Sequence, residues 1–195
     1  MADEDTELML RVAGGDDAAF ETLVRRMLPR LLGYFRRLGA DASIAEDCAQ
    51  ETFLKVFRAR AKYTARAKFT TYLFHIARNH WIDVYRHRKA GPGMVSAEVL
   101  RGDSDEDGPR REFEGPSPAP DAGAGQAELV AAMRRAVEGL GDEQREVFVL
   151  ARVETLRYQE ISEILGIPVG TVKSRMHAAW RQIRSSLKAE GIEPP

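Results

Sequence analysis

Three histidines, His75, His80 and His87, are the residues of this chain whose type and closeness first suggest metal chemistry. Their spacing does not set three ligands on one helix face, and no cysteine lies near them, so they read as packing or interface histidines. No glycine loop follows a strand to cradle a phosphate, and no nucleophile motif appears. No metal, no cofactor and no catalytic residue is expected, so the chain reads as a binding protein and not as an enzyme. What it offers instead is cationic recognition chemistry. From Arg58 to Lys89 nine Lys or Arg residues stand against one acid, Asp83, interleaved with Tyr63, Phe69, Tyr72, Phe74, Trp81 and Tyr85. Positive charge among flat rings suits a polyanion that also presents stackable bases. An amphipathic helix over an aromatic core would account for part of those rings without any ligand.

A second cationic surface lies in Leu156 to Leu187, LRYQEISEILGIPVGTVKSRMHAAWRQIRSSL. Ile161, Ile164 and Leu165 share one face of a short helix at the 3–4 spacing. Gly166 ends that helix as a left-handed cap, and Pro168 stands where the next helix can begin without losing a needed N–H. Val172, Met176, Ala179, Ile183 and Leu187 form the buried stripe of the second helix. Thr171, Lys173, Ser174, His177, Ala178 and Arg181 are left outside it. Between Gly170 and Lys188 there are five Lys or Arg residues and no acid. A helix–turn–helix sets such a second helix in the DNA major groove; a basic helical hairpin with a solvated face is the plainer alternative.

The elements that must carry these surfaces are helical. No stretch alternates at period two, and no sequence repeat is present, so an all-α fold of two small domains is expected from the 195 residues. Thr6 to Ala13 forms a first helix closed by Gly14-Gly15. Asp16 or Asp17 caps the next, with Phe20, Leu23, Val24, Met27, Leu31, Leu32, Phe35 and Leu38 on its stripe and Gly39 at its end. Pro29 should kink or divide that helix. Ser43 and Glu46 have the capping-box spacing for a third helix, whose inner face is Ile44, Ala45, Cys48, Ala49, Phe53, Val56 and Phe57. Its outer face, Asp47, Gln50 and Glu51, is acidic, as the first turns of a helix tolerate. After a loop from Tyr63 to Lys68 a fourth helix runs to about Lys89, with Tyr72, Leu73, Ile76, Ala77, Ile82 and Tyr85 inside and Arg78, Asn79, Arg86, Arg88 and Lys89 outside.

Residues 90–125 then change character. These 36 positions hold seven of the sixteen glycines and five of the nine prolines, with an acidic tract GDSDEDG. They read as a flexible linker. In the free protein the two domains could fold back on each other, aided by the acidic tract 103–107 lying near the basic Arg58–Lys89 block. Leu129, Val130, Met133, Val137 and Leu140 mark a further helix ended by Gly141, and Asp142 caps the helix carrying Val147, Phe148 and Ala151. The net charge of −1 therefore hides strong segregation, with seven acids against one base before residue 22. One cysteine excludes an internal disulfide and fits a reducing compartment. No apolar run approaches membrane-spanning length, and the acidic N-terminus is unlike a signal peptide. A cytoplasmic protein without membrane insertion is expected.

In combination the motifs resemble those of bacterial RNA polymerase sigma factors, in the extracytoplasmic-function (ECF) group of the sigma-70 family. AEDCAQETFLKVF is similar to that family's helix that grips RNA polymerase, and KFTTYLFHIARNHWIDVYRHRK to its −10 reading and melting helix. GLGDEQREVFVL and YQEISEILGIPVGTVKSR look like its −35 reading domain. The resemblance implies a region 2-like domain over 1–89, the linker over 90–125, and a region 4-like helix–turn–helix domain over 126–190. It implies that Asp47, Gln50 and Glu51 contact the clamp helices of the polymerase largest subunit. Tyr63, Lys68, Asn79, Arg86, Arg88 and Lys89 would serve the −10 element. Thr171, Lys173, Ser174, Arg175, His177 and Arg181 would serve the −35 box. Core RNA polymerase and promoter DNA are the implied partners, an anti-sigma factor is a candidate third, and the regulon would be of stress or envelope-response type.

The chain departs from the family pattern at several positions. Tyr72 stands for a usual Trp. Arg157 replaces a capping Ser, so that cap is lost or moves to Thr155. Ala178 and Trp180 replace Arg residues of the −35 helix. The rival reading is a stand-alone helix–turn–helix regulator, which predicts a dimer on an operator palindrome and gives the acidic face at Asp47–Glu51 no role.

Overall fold

The computed structural model describes residues 3–90 and 124–192, and every regular element among them is helical. The N-terminal half holds α1 (Glu4–Ala13), α2 (Asp17–Arg37), α3 (Ala42–Ala59), a short 3-10 turn (Arg60–Lys62) and α4 (Phe69–Ala90). The C-terminal half holds α5 (Ala124–Glu138), α6 (Asp142–Phe148), a π-turn over Val149–Val153, α7 (Tyr158–Leu165) and α8 (Val169–Ala189). The expected linker falls, apart from its end residues, outside the described residues.

Aspartates start the first three helices. Asp3 accepts from the Thr6 N–H at 2.8 Å, Asp16 from Ala19 at 3.0 Å and Asp41 from Ile44 at 2.9 Å. Each such cap is worth about 1 kcal/mol. The Asp41 cap corrects the expected Ser43–Glu46 box: the helix begins two residues earlier, so both residues already lie inside it. Gly141, not Asp142, occupies the N-cap of α6. Pro29 does not divide α2, which runs through it with Leu23, Met27, Leu31, Tyr34 and Phe35 buried. A mid-helix proline costs about 3 kcal/mol, and burial of those side chains at about 1.5–3 kcal/mol each outweighs it.

Buried hydroxyls knit the N-terminal half together. Thr6 Oγ1 accepts from the Phe69 N–H at 2.9 Å, tying α1 to the first residue of α4, and Thr52 Oγ1 donates to the Cys48 carbonyl at 2.7 Å. In the C-terminal half Arg145 donates to the carbonyls of Val137, Glu138 and Leu140 at 3.3, 2.6 and 2.7 Å. It thereby satisfies acceptors that the end of α5 leaves unpaired.

The hairpin of α7 and α8 has the expected form. Ile161, Ile164 and Leu165 are buried in α7, and Val172, Met176, Ala179, Ile183 and Leu187 in α8. Arg157 occupies the N-cap of α7 without capping through its side chain; Glu160 instead reaches back to the Arg157 N–H at 2.7 Å. Thr155 does not take over the cap; it adopts φ 55° and donates to the Glu154 carbonyl. Ser162 pins the turn by donating to the Ile167 carbonyl at 2.6 Å.

The two halves share one hydrophobic cluster. Helix α4 packs on α1, α2 and α3 and also on α7, while the π-turn meets α2. This explains why Phe74 and Trp81 are buried along with the expected Leu73 and Ala77.

Gly166 has φ 64°, and a Cβ there would meet no atom within 4 Å. Gly166→Ala therefore tests backbone strain alone, which costs about 1–2 kcal/mol. The urea midpoint should fall by the corresponding amount with an unchanged slope; an unmoved midpoint would contradict the left-handed cap.

Candidate nucleic-acid and polymerase interface

Three separate surfaces carry the expected site residues. On α3 the inward residues Ala45, Cys48, Ala49, Phe53 and Val56 are buried, which turns Asp47 and Gln50 fully outward. Glu51 is half-buried and lies 3.6 Å from Arg58. Leu54 joins them, 47% exposed. It sits off the buried stripe and one turn after Gln50, so an apolar residue among acids was the available sequence signal. Cys48 faces the opposite way, and burial followed by the charge of Asp47 pushes its thiol up to about 11, leaving it inert.

The second surface is the loop 63–68 with α4. Tyr63 is buried and meets Tyr72 edge-on at 5.2 Å between ring centres. Together with Lys62, Arg66 and His75 these rings line a cavity of about 330 Å³, to whose wall Glu163 of α7 also contributes. Asn79, Arg86 and Arg88 are exposed, Arg88 lying 3.8 Å from Asp41, and Lys89 is in the last turn of the helix. Lys68 is engaged: its ammonium stands 2.9 Å from Glu160. Of the histidines, His80 Nδ1 lies 3.3 Å from the Lys55 ammonium and His87 Nδ1 2.7 Å from the Asp83 carbonyl. Among the described residues no three His, Cys, Asp or Glu side chains converge.

The third surface is α8. Lys173, Ser174, His177 and Arg181 are exposed, and Thr171 is half-buried. Ser174 Oγ donates to the Thr171 carbonyl at 3.0 Å, while Arg175 turns aside to pair with Glu143 at 2.7 Å. Trp180 packs edge-on against Phe148 at 5.5 Å and under Arg152 at 5.2 Å. On the same helix His177, Trp180, Arg181 and Arg184 wall a groove of about 830 Å³.

The structure adds a fourth group that sequence reasoning missed. Glu146 accepts from the Tyr34 hydroxyl at 3.1 Å and lies 3.4 Å from Arg78. Glu154 accepts from Arg30 at 2.9 Å, and Asp142 from the Tyr85 hydroxyl at 2.9 Å. Arg78 therefore belongs to a junction between the halves and not to a solvated face. Burial raises the Glu146 carboxyl above its ordinary 4.5, against the opposing pull of Arg78, Tyr34 and Arg175. Burial likewise raises Glu154, against Arg30 and Arg37. Glu160 goes the other way, because the Arg157 N–H and Lys68 together outweigh its burial.

These shifts give a signed pH dependence. When the halves are apart, Glu146 and Glu154 return toward 4.5, so the joined form binds more protons below the raised values. Joining should therefore strengthen as pH falls from neutrality toward 4.5. Glu160, lowered below 4.5, acts in the opposite sense, weakening the joined form as pH falls, but chiefly at and below 4.5. X-ray scattering across this range should show a shrinking radius of gyration, and Glu146→Gln with Glu154→Gln should flatten the trend. A radius that grew on acidification would contradict the assignment.

Comparison with known proteins fits this geometry. Residues 23–91 match the sigma-70 region 2 family and residues 131–183 the sigma-70 region 4 family. The RNA polymerase sigma-H factor of Pseudomonas aeruginosa is 32% identical over 95% of this chain and 95% of its own length. The ECF RNA polymerase sigma factor SigE of Mycolicibacterium smegmatis is 33% identical over 98% of this chain and 72% of its own. Among solved structures, CnrH in complex with the cytosolic domain of CnrY superposes with a TM-score of 0.68 at 24% identity, covering 96% of this chain and 99% of that one, and so shares the fold. No described helix is long and apolar enough to cross a membrane. With both family regions present in order and full-length relatives above 30% identity, the chain belongs to the ECF group of the sigma-70 family, non-enzymatic factors that work with core RNA polymerase to start transcription at promoters.

Proposed function

We propose that the three exposed surfaces divide the work of promoter recognition among the residues named above. Asp47, Gln50 and Glu51, with Leu54 between them, grip basic helices of the polymerase largest subunit. The loop from Tyr63 to Lys68 and Asn79 receive an unstacked base of the −10 element, and Arg86, Arg88 and Lys89 hold the adjoining phosphates. Unstacking costs a few kcal/mol per base, and pockets among aromatic rings recover it. Thr171, Lys173, Ser174 and His177 read the −35 box, with Arg175 and Arg181 on phosphates. The domains run over 1–89 and 126–190, with 90–125 as the tether that lets them reach two DNA sites. The factor works in the cytosol on a stress or envelope-response regulon, under an anti-sigma partner.

One observation carries this reading: an acidic face with an exposed leucine on α3 and a basic, acid-free face on α8 point outward on the same chain. A duplex-binding regulator has no use for the first of these.

Asp47→Lys with Glu51→Lys should leave thermal stability within about 0.5 kcal/mol, as surface changes do, while affinity for core polymerase falls sharply. Unchanged affinity in a pull-down would remove α3 from the interface. On α8, His177→Ala should cost about 1–3 kcal/mol of promoter affinity and change the −35 sequences recovered from a randomised pool. Arg181→Ala should instead weaken all sequences alike and flatten the salt dependence. An identical preferred sequence from wild type and His177→Ala would argue against base reading there.

A further inference from the structure

The cavity beside the loop 63–68 holds a hydroxyl with nothing to bond. Thr71, in the first turn of α4, contributes to the cavity wall and is 4% exposed, and its Oγ1 is sealed from solvent without a hydrogen-bond partner. The other sealed hydroxyl of that wall, on Tyr63, lies beside Thr6 of α1. Burying an unpaired hydroxyl lowers stability and returns nothing in the free chain. A residue that served packing alone would be better as valine, which has the same shape. We propose that Thr71 is a specificity-determining residue of the −10 surface, its hydroxyl donating to the carbonyl-bearing edge of one unstacked base lodged in the cavity beside Tyr72.

The cavity suits such a ligand. At about 330 Å³ it is at the lower end of small-molecule sites, which fits a base whose sugar and phosphate stay at the rim. Lys62 and Arg66, both exposed, stand at that rim for the phosphates. The half-buried Tyr72 ring offers a face on which any base can stack. The start of α4 carries the positive end of the helix dipole. With Lys62 and Arg66 it favours an acceptor in the cavity, so the Thr71 hydroxyl serves as donor. Guanine, cytosine and thymine present a carbonyl, and adenine does not. Threonine occupies two χ1 wells in a helix, so a single rotation exchanges its methyl and hydroxyl and turns the donor toward an arriving base. Apart from Glu163 the cavity wall belongs to the N-terminal half, which therefore carries both the reader and the rim.

This role rests on the assignment of the loop 63–68 and Asn79 to the −10 element, and it divides that element between two nucleotides. Thr71, His75 and Asn79 follow one another at four-residue steps along one face of α4. Thr71 is buried, whereas His75 and Asn79 are exposed. Asn79 is not part of the cavity wall, and at 1.5 Å per residue it lies about 12 Å further along the helix. Thr71 and Asn79 therefore cannot reach the edge of the same base. Thr71 reads the base in the cavity, and Asn79 meets a different nucleotide of the same strand.

The test uses core polymerase with the full chain, selecting from a promoter pool randomised through the −10 element. Thr71→Val removes the hydroxyl and keeps the shape. Its urea midpoint should equal or exceed that of wild type, because the lost group had no partner. Its holoenzyme should lose about three- to tenfold of the preference at one −10 position and keep the preference at the others. Thr71→Ser should restore that position, and Asn79→Ala should alter a different one. Wild-type preference at every position in Thr71→Val would overturn the proposal. So would a lowered midpoint in that variant, which would mean that the hydroxyl is bonded in the free chain. Failure of Thr71→Ser to restore the preference, a shared position for Thr71→Val and Asn79→Ala, or adenine as the base preferred at the Thr71 position would each overturn it as well. A wild-type holoenzyme with no preference anywhere in the −10 element would instead overturn the −10 assignment on which the role rests.

Discussion

Glu146 is the carboxylate on which the arrangement of the two halves turns. Its side chain is 16% exposed, and its named partners across the junction, Tyr34 and Arg78, belong to the other half of the chain. Burying a carboxylate costs several kcal/mol unless opposing donors satisfy it, and removing one partner of a buried pair is far costlier than never having made it. The C-terminal half can therefore settle on α4 only in a register that brings Glu146 to Arg78 and Glu154 to Arg30. The π-turn and the strained Thr155 that follow α6 fit this constraint, since they set the place from which Glu154 reaches Arg30. The net gain from such pairs is small, so the contact is specific without being strong.

Packing within the N-terminal half explains why α4 is so aromatic. One side of it completes the core of the N-terminal half, with Phe74 edge-on to Tyr34 at 5.2 Å, and Trp81 packs near Phe35 at 6.1 Å. The start of the helix is buried under α1 and the loop, where Phe69 and Tyr72 approach Tyr63. Rings that composition alone would assign to base stacking are therefore divided. Phe69, Phe74 and Trp81 are core, and Tyr72 with His75 borders a surface cavity.

Local patterns were legible in the sequence and long-range electrostatics were not. All five stripe residues of α8 and all three of α7 are buried as their spacing predicts, because a helix that packs on one side repeats its apolar positions every three to four residues. Helix starts were read less well. Ser43 and Glu46 have the spacing of a capping box, yet Asp41 is better placed and wins. Arg78 shows how a surface residue can be misread. Glu146 lies 68 positions further on, the Tyr34–Glu146 bond spans 112 positions, and no periodicity links such partners. Leu54 and the acidic side of α6 and α7 were visible as residue types, but nothing in the sequence said which surface each would face.

The central claim is that this chain acts as one part of a polymerase holoenzyme, with its two DNA-reading surfaces on separate domains. The most direct measurement is in vitro transcription of genomic DNA by core polymerase with and without the full chain, mapping the 5′ ends. The account predicts new, discrete start sites that depend on the chain and share two sequence elements at a constant spacing. A chain that adds no start sites to core polymerase, and instead binds a palindromic duplex as a dimer, would contradict it.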